Sequence, residues 1–156
     1  MKQSFRYRFY PNQQQRLQLA KEFGCARFVY NWALSLKKET WEKEKRQIGI
    51  KECSKLLTAM RHSEPTAWLG EATRIVTQQS LRHLDIALGR FFRKQSAFPT
   101  FKKRSGHQCI TYCSHSFRIK ESIVSLNKLG ILDVTWSRPL IGKPTSIAVS
   151  RNQAGQ

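Results

Sequence analysis

Three groups of side chains in this sequence have the type and spacing to do chemistry on a polyanion. Arg74 and Gln78 lie one helical turn apart, with Arg82 a further turn along. Arg and Gln can each make paired hydrogen bonds to guanine or adenine edges in a major groove, although the same spacing also describes a solvated helix flank. The run Phe98-Pro99-Thr100-Phe101-Lys102-Lys103-Arg104 sets three cations beside two aromatic rings. That composition suits phosphate contacts with some base stacking, and equally a basic linker. In the third group Arg6 and Arg8 alternate with Phe5, Tyr7 and Phe9, so a strand here buries its rings and turns its guanidinium groups outward.

Metal and covalent chemistry are poorly supplied. His107, Cys109, Cys113 and His115 suggest a zinc site, but on one continuous strand the outer pair stand about 26 Å apart at roughly 3.3 Å per residue. They also lack a Cys-x-x-Cys knuckle. A two-metal nuclease needs several carboxylates converging on its ions, and the chain has two aspartates only, Asp85 and Asp133, far apart in sequence. It contains no Gly-rich phosphate loop, no G-x-S-x-G elbow and no H-E-x-x-H motif. The expectation is no catalytic residue, no metal ligand, no cofactor and no small-molecule substrate.

The composition points the same way. The 156 residues carry 28 Lys and Arg against 10 Asp and Glu, a formal net charge of +18, with a pI near 10.4. Each third of the chain has an excess of cations, so the basic surface belongs to the folded body rather than to a tail. A field of this sign attracts polyanions, nucleic acid first and anionic membrane second. No segment combines a broad apolar face with a purely basic one, which disfavours the membrane surface. An apolar content of 40% and an aromatic content of 11% support a packed core and argue against a disordered basic tail. With no apolar run to serve as a signal peptide or membrane span, the chain is expected in the cytoplasm, with Cys25, Cys53, Cys109 and Cys113 reduced.

The elements that must position these groups can be read from periodicity. A strand through Phe5–Phe9 ends at Pro11, and Asn12 with Gln15 forms a capping-box-like helix start. Leu17, Ala20 and Phe23 continue to Gly24, read as the end of the first helix. A second helix follows from about Cys25 towards Arg46, its apolar side supplied by Phe28, Leu34, Leu36 and Trp41. This pair resembles a helix-turn-helix, as do any two short helices separated by Gly. Gly49 precedes a third helix through Leu56, Leu57 and Met60. Leu81, Leu84, Leu88 and Phe91 form the seam of a long helix over about 73–94, with Gln79, Arg82, His83, Arg90 and Arg93 opposite. Beyond Phe101 the period becomes two, with strands expected at Cys109–Cys113, Phe117–Lys120, Ile123–Leu126, Ile131–Trp136 and Thr145–Arg151. One strand, four helices and a strand meander describe helices inserted into a small β-barrel.

Taken in order, Tyr10-Pro11-Asn12, the stretch Gly24 to Leu34 (GCARFVYNWAL), Trp68-Leu69, Gln78 to Leu81, Phe91-Phe92, Phe98 to Lys103, Leu129-Gly130 and Val149-Ser150-Arg151 resemble the N-terminal part of TnpB (OrfB), the RNA-guided nuclease family of insertion sequences. Asn127 stands where that family often has proline. The resemblance implies an α+β fold: a wedge-type β-barrel whose first strand is residues 1–10 and whose remaining strands lie in 97–156, with a helical recognition domain inserted at 11–96. It implies that this part holds a structured guide RNA and helps read a short duplex-DNA motif beside the target, in a prokaryotic cytoplasm and on the nucleoid when DNA-bound. Arg74, Gln78 and Arg82 are then the DNA-reading set, and Arg6, Arg8, Arg27, Asn31, Lys102, Lys103 and Arg104 the RNA or phosphate set.

In the family a RuvC-like nuclease domain with acidic metal ligands follows this part. The sequence stops at Gln156, in what resembles the turn of a hairpin over 152–156. The expectation is a truncated member that binds nucleic acid without cutting it, with a barrel edge left at 145–151 where Ile147 and Val149 are less well covered. Two other readings stand beside it: a helix-turn-helix DNA-binding regulator that uses the pair around Gly24, and one half of a split nuclease whose RuvC-like half is encoded separately.

Overall fold

Asn12 and Gln15 start the longest element. In the computed structural model, which describes residues 2–152, the Asn12 side chain accepts the Gln15 N–H at 2.8 Å. The Gln15 side-chain oxygen in turn accepts the Asn12 N–H at 3.0 Å. This closed capping box opens helix α1, Gln13–Glu44, which ends at Lys45 in a left-handed conformation with φ 52°. The break expected at Gly24 does not form. Gly in a helix interior costs roughly 1 kcal/mol relative to Ala, and burial on both sides of it outweighs that. Leu19, Phe23, Ala26, Val29, Tyr30, Ala33 and Leu34 form one buried stripe across the glycine. The expected stripe was also out of phase. Leu17 and Ala20 are exposed, because polar Gln15 and Glu22 occupy buried positions on the true inner face. Trp41 is likewise exposed, beneath the Lys45 ammonium.

Helix α2, Ile50–Arg61, follows Gly49, and a 3-10 turn at Ala67–Glu71 leads to α3, Arg74–Phe92. The α3 seam is as expected at Leu81 and Leu84, which are fully buried. The opposite face is not wholly solvent, because Gln79 and His83 turn towards the strands. One core packs Val29, Ala33, Leu34, Leu57, Leu69 and Leu84 between the helices. A second packs Leu19, Phe23, Ala26 and Val76 against Ile110, Tyr112, Leu126 and Val149 of the strands.

The strands are short. Residues Arg8–Phe9 (β1) pair antiparallel with Val134–Thr135 (β6), so the first strand does join the later ones. Gln108–Cys113 (β2) pairs along its whole length with Ser146–Arg151 (β7). Phe117–Lys120 (β3), Ile123–Leu126 (β4) and Gly130–Ile131 (β5) form a meander, whose second turn, 127–129, has Lys128 at φ 66° and is followed by Gly130 at φ 74°. The single strand expected over Ile131–Trp136 is therefore two short ones. Among the described residues these are three separate small sheets rather than one closed barrel. The edge expected at β7 is present among the described residues, since β7 pairs with β2 on one side only. Ile147 is half-buried there, whereas Val149, expected to be poorly covered, is buried in the second core. The turn expected over 152–156 falls, apart from Asn152, outside the described residues. No helix among them is long and apolar enough to cross a membrane.

Candidate nucleic-acid interface

The start of α3 is fixed by groups that converge from α1, α2 and the turn between β4 and β5. Glu22 on α1 is fully buried, and its carboxylate accepts the Thr73 N–H at 3.0 and 2.9 Å and the Thr73 hydroxyl at 2.6 Å. Gln18 donates to the same carboxylate and to the Glu71 carbonyl. From α2, the Arg61 guanidinium donates to Thr77 Oγ1 and to the Ala72 carbonyl, each at 3.2 Å. From the β4–β5 turn, Lys128 Nζ donates to the carbonyls of Gly70, Glu71 and Ala72 at 3.0, 3.3 and 3.3 Å. The last carbonyls of the 3-10 turn thus meet a cation and the N-cap amide of α3, that of Thr73, meets an anion, the complement each terminus requires.

On this anchored helix Arg74, Gln78 and Arg82 follow one another at four-residue spacing, on one side. Arg74 and Arg82 are exposed. Gln78 is half-buried, its side-chain oxygen accepting the Ser54 hydroxyl of α2 at 2.8 Å.

A second group gathers where the segment after α3 returns to α1. The Asn31 amide closes on the backbone of Lys102, donating to its carbonyl at 3.0 Å and accepting its N–H at 2.8 Å. Lys102 is exposed as a residue, yet its ammonium rests 4.4 Å from the Tyr30 ring centroid. Partial loss of water there lowers its pKa from the usual lysine value. Lys38 lies between two rings of the same segment, 5.2 Å from the centroid of Phe98 and 5.0 Å from that of Phe101. Phe98 packs edge-on against Phe91, and Phe91 against Phe92. Lys103 and Arg104 are exposed. An open groove of about 400 Å³ runs between Tyr30, Phe101, Lys102, Lys103 and His107.

The predicted RNA or phosphate set is therefore only partly gathered. Arg27, Asn31 and residues 102–104 meet, with Arg27 reaching Gln108, whose amide donates to the Arg104 carbonyl. Asn31 uses both ends of its amide to hold the segment in place. Arg6 and Arg8 project outward from β1 at a different sheet, as their alternation with half-buried Phe5, Tyr7 and Phe9 requires.

The residues weighed for zinc do not converge. Cys109 and Cys113 lie on one continuous strand, where Gln79 donates to Cys113 Sγ. Among the described residues no three His, Cys, Asp or Glu side chains are close enough to share a metal ion.

Sequence reasoning passed over Glu22, Thr73, Lys38 and Lys128. Only Glu22 left a signal, as a carboxylate at helical spacing among Leu19, Phe23 and Ala26. The three others act across 50 residues or more of sequence, or on their partners' rings and carbonyls, which no local pattern records.

Residues 1–46 match the model of the helix-turn-helix domain of OrfB-type insertion-sequence proteins. In this chain the helical part of that match is the uninterrupted α1. The chain is 38% identical across its whole length to a candidate RNA-guided DNA endonuclease of Streptomyces pristinaespiralis, covering 40% of that protein. It is 32% identical over 96% of its length to InsQ of Escherichia coli K12, named in the same way, covering 38% of it. Virulence protein VsdF of Salmonella dublin is 30% identical over 62% of the chain, which covers 89% of VsdF. The chain thus spans about 40% of the length of the two endonuclease-named relatives. With that domain match and 38% and 32% identity along 100% and 96% of its length, the chain belongs to the TnpB (OrfB) family of insertion-sequence proteins.

Proposed function

We propose that this chain is a nucleic-acid-holding part of a TnpB-type protein, keeping a structured guide RNA against α1 and the 98–104 segment while α3 reads a short duplex motif beside the target. In this reading residues 11–96 are the reading module, seated on residues 1–10 and 97–156. The observation that carries it is the anchoring of α3. A helix whose first turn is tied to α1, α2 and the β4–β5 turn presents Arg74, Gln78 and Arg82 in a fixed frame, and base reading needs that fixity because paired hydrogen bonds tolerate little displacement. The net charge of +18 supplies the phosphate attraction that any such complex requires.

Cleavage is assigned to residues outside this chain, on a longer polypeptide or a separately encoded RuvC-like partner. The regulator reading keeps the helix-turn-helix match over residues 1–46 but not a turn at Gly24, which α1 runs through.

Sequencing of RNA that stays bound through a high-salt wash, together with selection from a random duplex library, tests the proposal. One dominant structured RNA and one enriched duplex motif, relaxed by Arg74→Ala and Gln78→Ala, are expected. A featureless smear of RNA with no enriched motif would overturn it. Chelator-sensitive nicking of DNA by the purified chain would overturn the assignment of cleavage elsewhere.

A further inference from the structure

One helical glycine has no reason within the chain to be glycine. Gly24 sits in the interior of α1, where glycine costs roughly 0.5–1 kcal/mol relative to Ala. A Cβ built there would meet nothing nearer than Arg27 Nη2 at 3.9 Å, an ordinary contact with a flexible side chain. Gly89, the other glycine within a long helix, differs, since its Cβ would press on the Arg93 guanidinium at 3.2 Å. The space outside Gly24 is the end of an open groove of about 650 Å³ along the outer stripe of α1, lined by Arg27, Phe28, Trp32 and Glu39 and walled by Trp68 of the 3-10 turn. Trp68 packs edge-on against Phe28, with ring centroids 5.0 Å apart, and is still 42% exposed.

We propose that this groove takes an unpaired nucleotide of a bound polynucleotide, its base against the rings of Trp68, Trp32 and Phe28 and its phosphate at Arg27, with Gly24 leaving room for the strand to approach the helix backbone. The occupant follows from chemistry present in the groove. The exposed ring of Trp68, flanked by the half-buried Trp32 and Phe28, can hold a base of any sequence by stacking. Arg27 neutralises a phosphate at one end, while Glu39 repels phosphate at the other, so the strand enters from the Arg27 end. A surface of this net charge recruits polyanions before any other partner. The inference deepens the proposed function by adding a single-strand subsite distinct from the α3 duplex-reading stripe, and it rests on that reading.

The test uses the whole chain and three probes: a uridine RNA homopolymer and a thymidine DNA homopolymer of about twenty nucleotides, and a blunt DNA duplex of the same length. Single strands are expected to quench tryptophan fluorescence and the duplex is not. Quenching by the RNA alone assigns the groove to RNA, and quenching by both assigns it to the base and phosphate regardless of sugar. In the series Gly24→Ala and Gly24→Leu, single-strand affinity should fall with side-chain size, by about tenfold at leucine, while Gly24→Ala raises the melting temperature. A mutation that merely damages the fold cannot move binding and stability in opposite directions. Trp68→Leu, at an exposed position, should reproduce the loss of quenching if Gly24→Leu folds poorly.

Wild-type quenching and affinity in Gly24→Leu and Trp68→Leu would overturn the subsite. A dimer dissociated by Gly24→Leu would overturn it in favour of a second copy in the groove. Failure of the broader reading shows separately, as loss of salt-dependent duplex binding and of motif selection in the wild-type chain.

Discussion

The carboxylate of Glu22 and the backbone of Thr73, 51 residues apart in sequence, form a sealed contact: both carboxylate oxygens accept one N–H, at 3.0 and 2.9 Å, and one of them also accepts the Thr73 hydroxyl at 2.6 Å. Neither residue is more than 1% exposed. Glu22→Ala leaves a buried amide and hydroxyl without their acceptor, which costs about 2–4 kcal/mol. Glu22→Gln keeps one acceptor oxygen and should lose less. The denaturation midpoint should drop in that order, and amide exchange should accelerate first at the start of α3. Unchanged exchange there in Glu22→Ala would show that the carboxylate does not hold the helix.

Asn31 makes a parallel prediction on the other surface. Asn31→Ala removes both of its bonds to the Lys102 backbone, about 1–2 kcal/mol in all, without changing net charge. RNA affinity should fall while the salt dependence of what remains is preserved, because the phosphate-facing cations are still present. Asn31→Asp retains the acceptor, loses the donor and adds a negative charge beside the phosphate-facing cations, so its RNA affinity should fall below that of Asn31→Ala. Binding isotherms at several salt concentrations separate these outcomes.

His83 sets a direction for pH. Burial, and then the nearby Lys102 ammonium, lower its pKa from the ordinary 6.5, and Thr111 Oγ1 lies 3.4 Å from its Nε2. The unfolded chain therefore takes up this proton at a higher pH than the folded one. Stability contributed by the neutral ring is intact above about pH 6.5 and declines as pH falls through that value towards the lower folded pKa, by at most about 1.4 kcal/mol per pH unit. Thermal melts from pH 7.5 to 5 should show this decline, and His83→Gln should flatten it.

The four thiols should separate by reactivity. Cys25 is buried, and burial, reinforced by the Glu22 charge, pushes its pKa up to about 11. Burial raises the Cys53 pKa as well. The thiolate is the reactive species, and burial raises the Cys109 pKa too, against a lowering by Lys102. Accessibility then decides, and alkylation of the native protein at pH 8 should reach the half-buried Cys109 and Cys113 before Cys25 and Cys53, which react only on unfolding. Peptide mass spectrometry over time reads this directly. Early modification of Cys25 would show that α1 opens locally at its glycine.

Elements with clean periodicity were legible before the structure. The Asn12–Gln15 capping box, the Leu81–Leu84 seam of α3 and the strands Phe117–Lys120 and Ile123–Leu126 all stand where local pattern put them. Gly24 misled because its punctuation value is local, whereas the helix is held by burial contributed from distant strands. The phase of α1 misled because Gln15 and Glu22 look like surface residues. Each is buried only because a remote backbone group needs it: the carbonyls of Leu129 and Ile131 for Gln15, and the Thr73 amide for Glu22. For the site, the spacing of Arg74, Gln78 and Arg82 could be read directly, but not the bond that ties Gln78 to Ser54. The basic run 102–104 was visible, and its attachment through Asn31 was not.

The position of α1 in both cores has a mechanical consequence. Its first half, through Leu19, Phe23 and Ala26, is a wall of the strand core, and its second half, through Val29, Ala33 and Leu34, is a wall of the helical core. At 1.5 Å per residue its 32 residues make a strut about 48 Å long that runs through both. A load applied to either half, such as a nucleic acid pulling on its cations, tilts the strut as one piece and is felt in the other half without any hinge between them.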